Sequence, residues 1–319
     1  MANFIYVSPT GDGWKNLAND EWFLDHFHPE DVLLHFYVNQ NAVIIGKNQN
    51  PWRECDLAAM ERDGVQLVRR VSGGGAVYHD AGNLNFSFIT GAETYDVSRQ
   101  LGVIGSALQS LGIPCEFTGR NDLTANGRKF SGNAFCARGP LRQHHGTLLI
   151  RADLTKLQRY LQVDPRKMQA KGVSSVRSRV CNLSEFDETL TVEQVREAVC
   201  KAFEAEYGPA AVLTAHPQAD SYYDRQRSWD WRLGKTPAFD LELDPRFDWG
   251  GVQLLLTLKE GLVDSLEVYS DAMDPDLANH VTALLTGCRF SSQSLHDALM
   301  EREKTELHDL AGWILEQGL

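Results

Sequence analysis

The hydrophobic positions change period several times along the chain, and each change marks an element. Over residues 14–25 the spacing is helical, with Leu17, Glu21 and Leu24 near one face. Val32 to Val38 and Ala42 to Ile45 are β-rich runs around Asn39-Gln40-Asn41, which predicts a hairpin. Val68 and Val71 lead into Gly73, Gly74 and Gly75, and beyond them Leu84, Phe86 and Phe88 alternate with Asn85 and Ser87. The glycines therefore fall between two strands. Val97, Leu101, Ile104, Leu108 and Leu111 step by three and four residues, an amphipathic helix ended by Gly112 and Pro114.

Asn126-Gly127 is the strongest short hairpin signal in the chain, and it joins residues 121–125 to 128–134. Strict alternation puts Lys129, Ser131 and Asn133 on one face of the returning strand, and Phe130 and Ala134 on the other. A further strand, His145 to Ile150, follows a loop that holds Gly139-Pro140. Thr191 to Gln194 is a capping box that opens a helix burying Val195, Val199 and Phe203. Regular period is lost over 228–239, a stretch rich in aromatic anchors. Then come two strands, Gly251 to Leu258 and Val263 to Tyr269. Two helices follow, one with Leu277, Val281 and Leu284, the other with Leu307, Leu310 and Ile314. The pattern predicts an α+β protein of two domains, 1–245 and a small satellite at 246–319. A length of 319 residues, beyond the usual single core, supports the division.

Composition narrows the chemistry. A net charge of −12 excludes a general nucleic-acid binder, because phosphate backbones demand an excess of Lys and Arg. The six cysteines show no metal-ligand spacing and read as reduced core thiols. The first residues carry no charged leader pattern and no apolar run of bilayer length, so the expectation is a cytoplasmic protein off the membrane. Nothing demands more than a monomer.

Chemistry concentrates at residues 69–88. Three glycines without Cβ atoms let backbone N–H groups approach an anion, and Arg69 and Arg70 stand beside them. Neither a Walker spacing nor a dinucleotide fingerprint is present, since both need a helix after the glycines. A plain glycine-rich turn at an exposed edge has the same local sequence. The neighbouring Ser72, His79, Asp80 and Asn83 favour a ligand site. Lys129, just after a tight turn, has an ordinary place as a solvated lysine, but it shares its predicted face with small polar residues. Residues 171–183 hold Arg177 and Arg179 among serines, and read either as a polar surface loop or as a basic flap over a phosphorylated ligand.

Taken in order, these blocks resemble the lipoate–protein ligases. The residues that carry the resemblance are 69–86 (RRVSGGGAVYHDAGNLNF), 119–134 (GRNDL followed by RKFSGNA), 144–149 (HHGTLL), 175–180 (SVRSRV) and 46–54 (GKNQNPWRE). The resemblance runs over nearly the whole chain. It implies ATP-dependent activation of lipoate to lipoyl-adenylate, then transfer to a lysine of a lipoyl-carrier domain. The carriers would be the 2-oxoacid dehydrogenase acyltransferases or the glycine-cleavage carrier protein. Arg70, Gly75, Ala76, Val77 and Tyr78 would hold the nucleotide, and Ser175, Val176 and Arg177 would close over the adenylate. Ser72, Gly73, Gly74, His79, His145 and Gly146 would line the lipoate, with Lys129 at the reacting centre. The implied fold is a mixed-sheet α+β catalytic domain shared with biotin ligases and class II synthetases, followed by a small C-terminal α+β accessory domain.

The residues support the same chemistry. A carboxylate attacking an α-phosphate brings one anion to another, and preorganised cations lower that barrier. Mg²⁺ binds through few carboxylates plus phosphate oxygens, and Asp122 is the candidate ligand. Two other functions share the resemblance: a cysteine-dependent octanoyltransferase working through Cys136 or Cys181, and a non-catalytic lipoyl-binding protein.

Overall fold

The alternation of Leu84, Phe86 and Phe88 with Asn85 and Ser87 lies near the centre of an eight-stranded mixed sheet. The computed structural model describes residues 2–118, 122–161, 180–233, 241–259 and 261–319, apart from the side chains at 52, 53 and 118. The chain packs as two compact units. One comprises Met1–Ile44, Glu54–Arg69 and Val77–Arg232; the other comprises Ile45–Arg53, Arg70–Ala76 and Leu233–Leu319.

The first unit begins with β1 (Asn3–Val7), α1 (Gly13–His26), β2 (Val32–Tyr37) and β3 (Ala42–Ile45), then α2 (Leu57–Arg62), β4 (Gln66–Arg69), β5 (Val77–His79) and β6 (Asn83–Gly91). It continues with α3 (Val97–Ser110), β7 (Glu116–Thr118), β8 (Asp122–Ala125), β9 (Arg128–Arg138) and β10 (Leu141–Leu149). It ends with α4 (Leu154–Tyr160), α5 (Val192–Tyr207), β11 (Ala210–Val212) and α6 (Asp220–Arg227). The large sheet runs β11-β1-β2-β6-β10-β9-β8-β7, parallel at β11-β1-β2 and antiparallel from β2 onward. One face carries Val32, Leu34, Phe36, Leu84, Phe86, Phe88 and Leu148, and packs against Ile104 and Leu108 of α3 and Val199 and Phe203 of α5. Burying a side chain of this kind contributes about 1.5–3 kcal/mol, so this face holds the unit together. The two-residue period leaves His35, Asn85, Ser87, His145 and Thr147 for the opposite face.

The helix at 97–111 and the capping box at Thr191 and Gln194 are as read from the sequence; Asp96 supplies the unforeseen N-cap of α3. The hairpin at Asn39–Asn41 is not. β2 pairs with β1 and β6, whereas β3 lies between β4 and β5 in a separate three-stranded sheet. Every residue of β2 and β3 is buried, so both faces are covered and no alternation specifies a partner. Asn41 takes φ 55° and sends the chain away from the first sheet. The loop at Gly139-Pro140 is also tighter than expected. β10 starts at Leu141, which pairs directly with Arg138 of β9.

The second unit holds β12 (Leu241–Leu243), β13 (Arg246–Phe247), β14 (Gly250–Lys259), β15 (Leu262–Ser270), α7 (Leu277–Leu285), α8 (Ser292–Leu299) and α9 (Thr305–Glu316). Leu254, Leu256 and Val263 of its sheet meet Val281, Leu295, Leu299, Leu310 and Ile314. The expected α+β class holds in both units. α8 was not expected: it is two turns long, capped by Ser291, too short for its period to stand out. Among the described residues no helix is long and apolar enough to cross a membrane.

Candidate functional site

The polar face of the large sheet carries a buried hydrogen-bond network. Ser87 stands in register between His35 and His145. Gln143 donates to Ser87 Oγ at 3.0 Å and to Asp20 Oδ2 at 2.8 Å, while Asp20 Oδ1 lies 3.0 Å from His35 Nδ1. All four of these partners are at most 2% exposed. A buried carboxylate needs such partners, and in return it fixes the rows beside it. The sequence reading missed Asp20, His35 and Gln143. For His35 and Gln143 the signal was a polar residue at an alternate position of a strand, whereas Asp20 lies on helix α1 and carried no such signal.

His144 faces the helices instead. Its Nδ1 lies 2.9 Å from the Gln100 side chain and its Nε2 lies 3.0 Å from Asn133 Oδ1. The Gln100 atom is Oε1, and a neutral imidazole has one N–H, so the ring donates to one of these two side-chain oxygens at a time. Burial, with the charge of His145 adding, pulls this imidazole from 6.5 down to about 3. The unfolded chain protonates there below 6.5 and the folded chain does not. Stability from this group is therefore full above 6.5 and is lost as pH falls toward 3, with a slope of at most about 1.4 kcal/mol per pH unit. Urea denaturation at pH 7 and pH 5 should show the loss, and His144→Gln should shrink the difference. An unchanged difference in that variant would assign the acid sensitivity elsewhere.

Lys129 sits on β9 just after the Asn126-Gly127 turn. Leu123 pairs with Ser131, but Thr124 pairs with Lys129, so Phe130 is an extra residue and the strand bulges. The bulge overturns the strict alternation. Phe130 enters the helix-covered core, Ser131 and Asn133 are buried, and Asn133 faces His144. The Lys129 stem instead folds over Gly132, where a Cβ would lie 3.2 Å from Nζ and 3.3 Å from Cε. Lys129 thus lies on the side of Gly132, whose N–H donates to Thr147 Oγ1 at 3.2 Å. Its carbonyl accepts from the Cys181 N–H at 2.9 Å, and its ammonium pairs with Asp122 at 2.6 Å.

The glycine loop belongs to the second unit. Arg70, only 6% exposed, does not hold out its guanidinium. Nε and Nη2 donate to the Gly73 carbonyl at 3.1 and 2.7 Å, and Nη2 donates to the Gly75 carbonyl at 2.8 Å. The arginine draws these carbonyls inward and so fixes the path of the loop. Gly74 has φ +93°, a conformation that favours glycine, and its N–H donates to the Ala272 carbonyl at 2.8 Å. Gly73 packs so tightly that a Cβ would lie 2.5 Å from the Ala272 oxygen, whereas Gly75 has open space at that position. Ser72 is fully buried.

Arg69 is not the second phosphate donor that its place beside Arg70 suggested. Its guanidinium donates to the carbonyls of Trp231 at 2.8 Å and Arg232 at 2.9 Å, and the Trp231 indole donates back to the Arg69 carbonyl at 3.0 Å. In the first unit Val77, Tyr78 and His79 form β5. The Tyr78 hydroxyl donates to Asn41 Oδ1 at 2.9 Å, and His79 Nδ1 lies 3.1 Å from Asn39 Nδ2. A Cβ on Gly146 would strike Asn133 Oδ1 and the Phe86 ring on the core side, so packing alone accounts for this glycine. Ala76 is half-buried beside Gly75. Ser175, Val176 and Arg177 lie outside the described residues.

Val77, Tyr78, His79, Lys129, His145, Gly146 and Asp122 thus belong to the first unit, and Arg70, Ser72, Gly73, Gly74, Gly75 and Ala76 to the second. Among the described residues no group of three or more His, Cys, Asp or Glu side chains could hold a metal. All six cysteines are free thiols, and Cys136 and Cys181 are buried. Burial raises the pKa of Cys181, whose thiol donates to the Arg128 carbonyl at 3.5 Å.

Known proteins resemble this chain in sequence and fold. Residues 12–204 match the family described as lipoyl protein ligase A/B catalytic domain, and residues 236–314 match the bacterial lipoate protein ligase C-terminus. Lipoate-protein ligase A of Psychrobacter cryohalolentis is 36% identical over 330 residues, 98% of this chain and 97% of that protein. Among solved structures, P. falciparum LipL1 in complex with lipoate gives a TM-score of 0.88 at 28% identity, covering 99% of this chain and 100% of its own. The bi-partite lipoate protein ligase of Thermoplasma acidophilum, described with its E2 lipoyl domain, gives 0.65 at 28% identity, covering 75% of this chain and 98% of its own. A lipoate-protein ligase A bound with ATP also gives 0.65, at 27% identity, covering 73% and 99%. On this similarity along its whole length, the chain belongs to the lipoate–protein ligase family.

Proposed function

We propose that this protein uses ATP to convert lipoate to lipoyl-adenylate and then passes the lipoyl group to a lysine of a lipoyl-carrier domain. The observation that carries the reading is Lys129, a cation turned by a strand bulge onto the side of Gly132 and Thr147. Lipoate and ATP are named as ligands of similar structures, and an E2 lipoyl domain is named with another. The acyltransferases of 2-oxoacid dehydrogenases and the glycine-cleavage carrier protein are the acceptors of that chemistry.

In the first step a lipoate oxygen attacks the α-phosphorus and pyrophosphate leaves. Lys129 offers a compact charge to both reacting anions. The amides of Gly75, Ala76 and Val77 receive phosphate oxygens, and Arg70 keeps their loop in shape. His79 and His145 border the acyl chain, and Ser175, Val176 and Arg177 cover the adenylate. In the second step a neutral lysine amine of the carrier attacks the acyl carbonyl, AMP leaves and an amide forms. Mg²⁺ would come with the nucleotide, neutralising charge on the departing pyrophosphate, with Asp122 as a candidate protein ligand. The adenylating and transferring residues named here all lie within 1–245, which leaves 246–319 an accessory part.

Neither cysteine suits a thioester mechanism: a reactive thiol needs access and both are buried, and burial also raises the pKa of Cys181. Lipoate-dependent ATP–pyrophosphate exchange tests the reading directly. Exchange should be present, and Cys136→Ser and Cys181→Ser should each keep it within about tenfold, a change of about 1.4 kcal/mol. Absent exchange, or its collapse in a folded cysteine variant, would hand the function to an acyl-thioester route.

A further inference from the structure

Asp122 makes a contact that phosphate or metal binding does not explain. Its Oδ1 is shielded from solvent and lies 2.6 Å from Lys129 Nζ, the distance of a charge-assisted contact. Both side chains are 36% exposed, and ion pairs this open to solvent are weak. The bulged register explains how they meet. Asp122 pairs with Gly132, and the Lys129 stem folds back over that same glycine, so the ammonium arrives beside the carboxylate.

A lysine that is to receive a substrate carboxylate is therefore already holding a carboxylate of the protein. We infer that Asp122 is a built-in competitor for the carboxylate of the acyl substrate. It keeps the ammonium in place over Gly132 while the site is empty, and it yields when a free fatty acid arrives. The arriving carboxylate takes the place of Asp122 at the ammonium and leaves the Asp122 charge unpaired beside it, which keeps the free acid loosely bound. The inference rests on the reading of Lys129 as the cation for the acyl carboxylate.

Calorimetric titration of the full chain with lipoate, without nucleotide and with a chelator present, isolates this exchange from any metal role of Asp122. Asp122→Asn should bind lipoate about two- to fivefold more tightly, the scale of a solvent-exposed ion pair. Its affinity for lipoamide, which carries no charge, should not change. Lys129→Met should weaken lipoate binding, and adding Asp122→Asn to it should restore nothing. Unchanged or weaker lipoate binding in Asp122→Asn, with Lys129→Met still weakened, would overturn the competitor role alone. Unweakened binding in Lys129→Met would instead sink the reading of Lys129, and the inference with it. Should Asp122→Asn fail to fold, Asp122→Ser removes the same charge and is held to the same outcomes.

Discussion

Lys129→Met lowers lipoate-dependent pyrophosphate release by about 10²–10³, the cost of removing one preorganised donor from a developing charge. Methionine keeps the length of the stem that lies over Gly132 and removes only the ammonium. Lys129→Arg should fail as well, because a planar fork does not fit beside Asp122 and Gly132 as a point charge does. Pyrophosphate release is followed by a coupled assay, with a thermal melt to show that each variant is folded. Turnover near that of the native chain in the methionine variant would make Lys129 a solvated hairpin lysine.

The second large effect concerns Arg70. Arg70→Lys keeps the charge but loses the fork that holds the Gly73 and Gly75 carbonyls. Hydrogen bonds to charged groups contribute about 1.5–3 kcal/mol, so losing their geometry in a buried loop should raise the KM for ATP by about 10- to 100-fold. The KM for lipoate should move much less. A KM for ATP within about threefold of native would assign the loop's shape to the bond between the Gly74 amide and the Ala272 carbonyl instead, a change well below the tenfold that 1.4 kcal/mol represents.

Elements with a local cause were legible in the sequence. The helix at 97–111 has its stripe and its terminating glycine, the 192–207 helix has its capping box, and Asn126-Gly127 has its turn. Pairings decided by distant residues were not. β2 and β3 are buried on both faces, so Asn39–Asn41 looked like a hairpin although the strands join different sheets. The site follows the same division. Lys129 and the glycines were found by residue type, but the face of Lys129 depends on one inserted residue, Phe130, that alternation cannot detect. Arg69 and Arg70 look alike in sequence. Their different tasks arise from Trp231 and Arg232 in one case and from the loop's own carbonyls in the other.

The grouping of Arg70–Ala76 with Leu233–Leu319 also governs when the protein can begin to work. The Gly74 amide finds its partner at Ala272, roughly two hundred residues later, a contact of very high sequence separation. A chain emerging from the ribosome forms its earlier parts first. Through most of synthesis the large sheet can assemble while the glycine segment has no template to set its shape. The nascent polypeptide is then a folded scaffold with an unfinished glycine loop, and on the function proposed above it would gain the use of ATP only after the Ala272 carbonyl has been made.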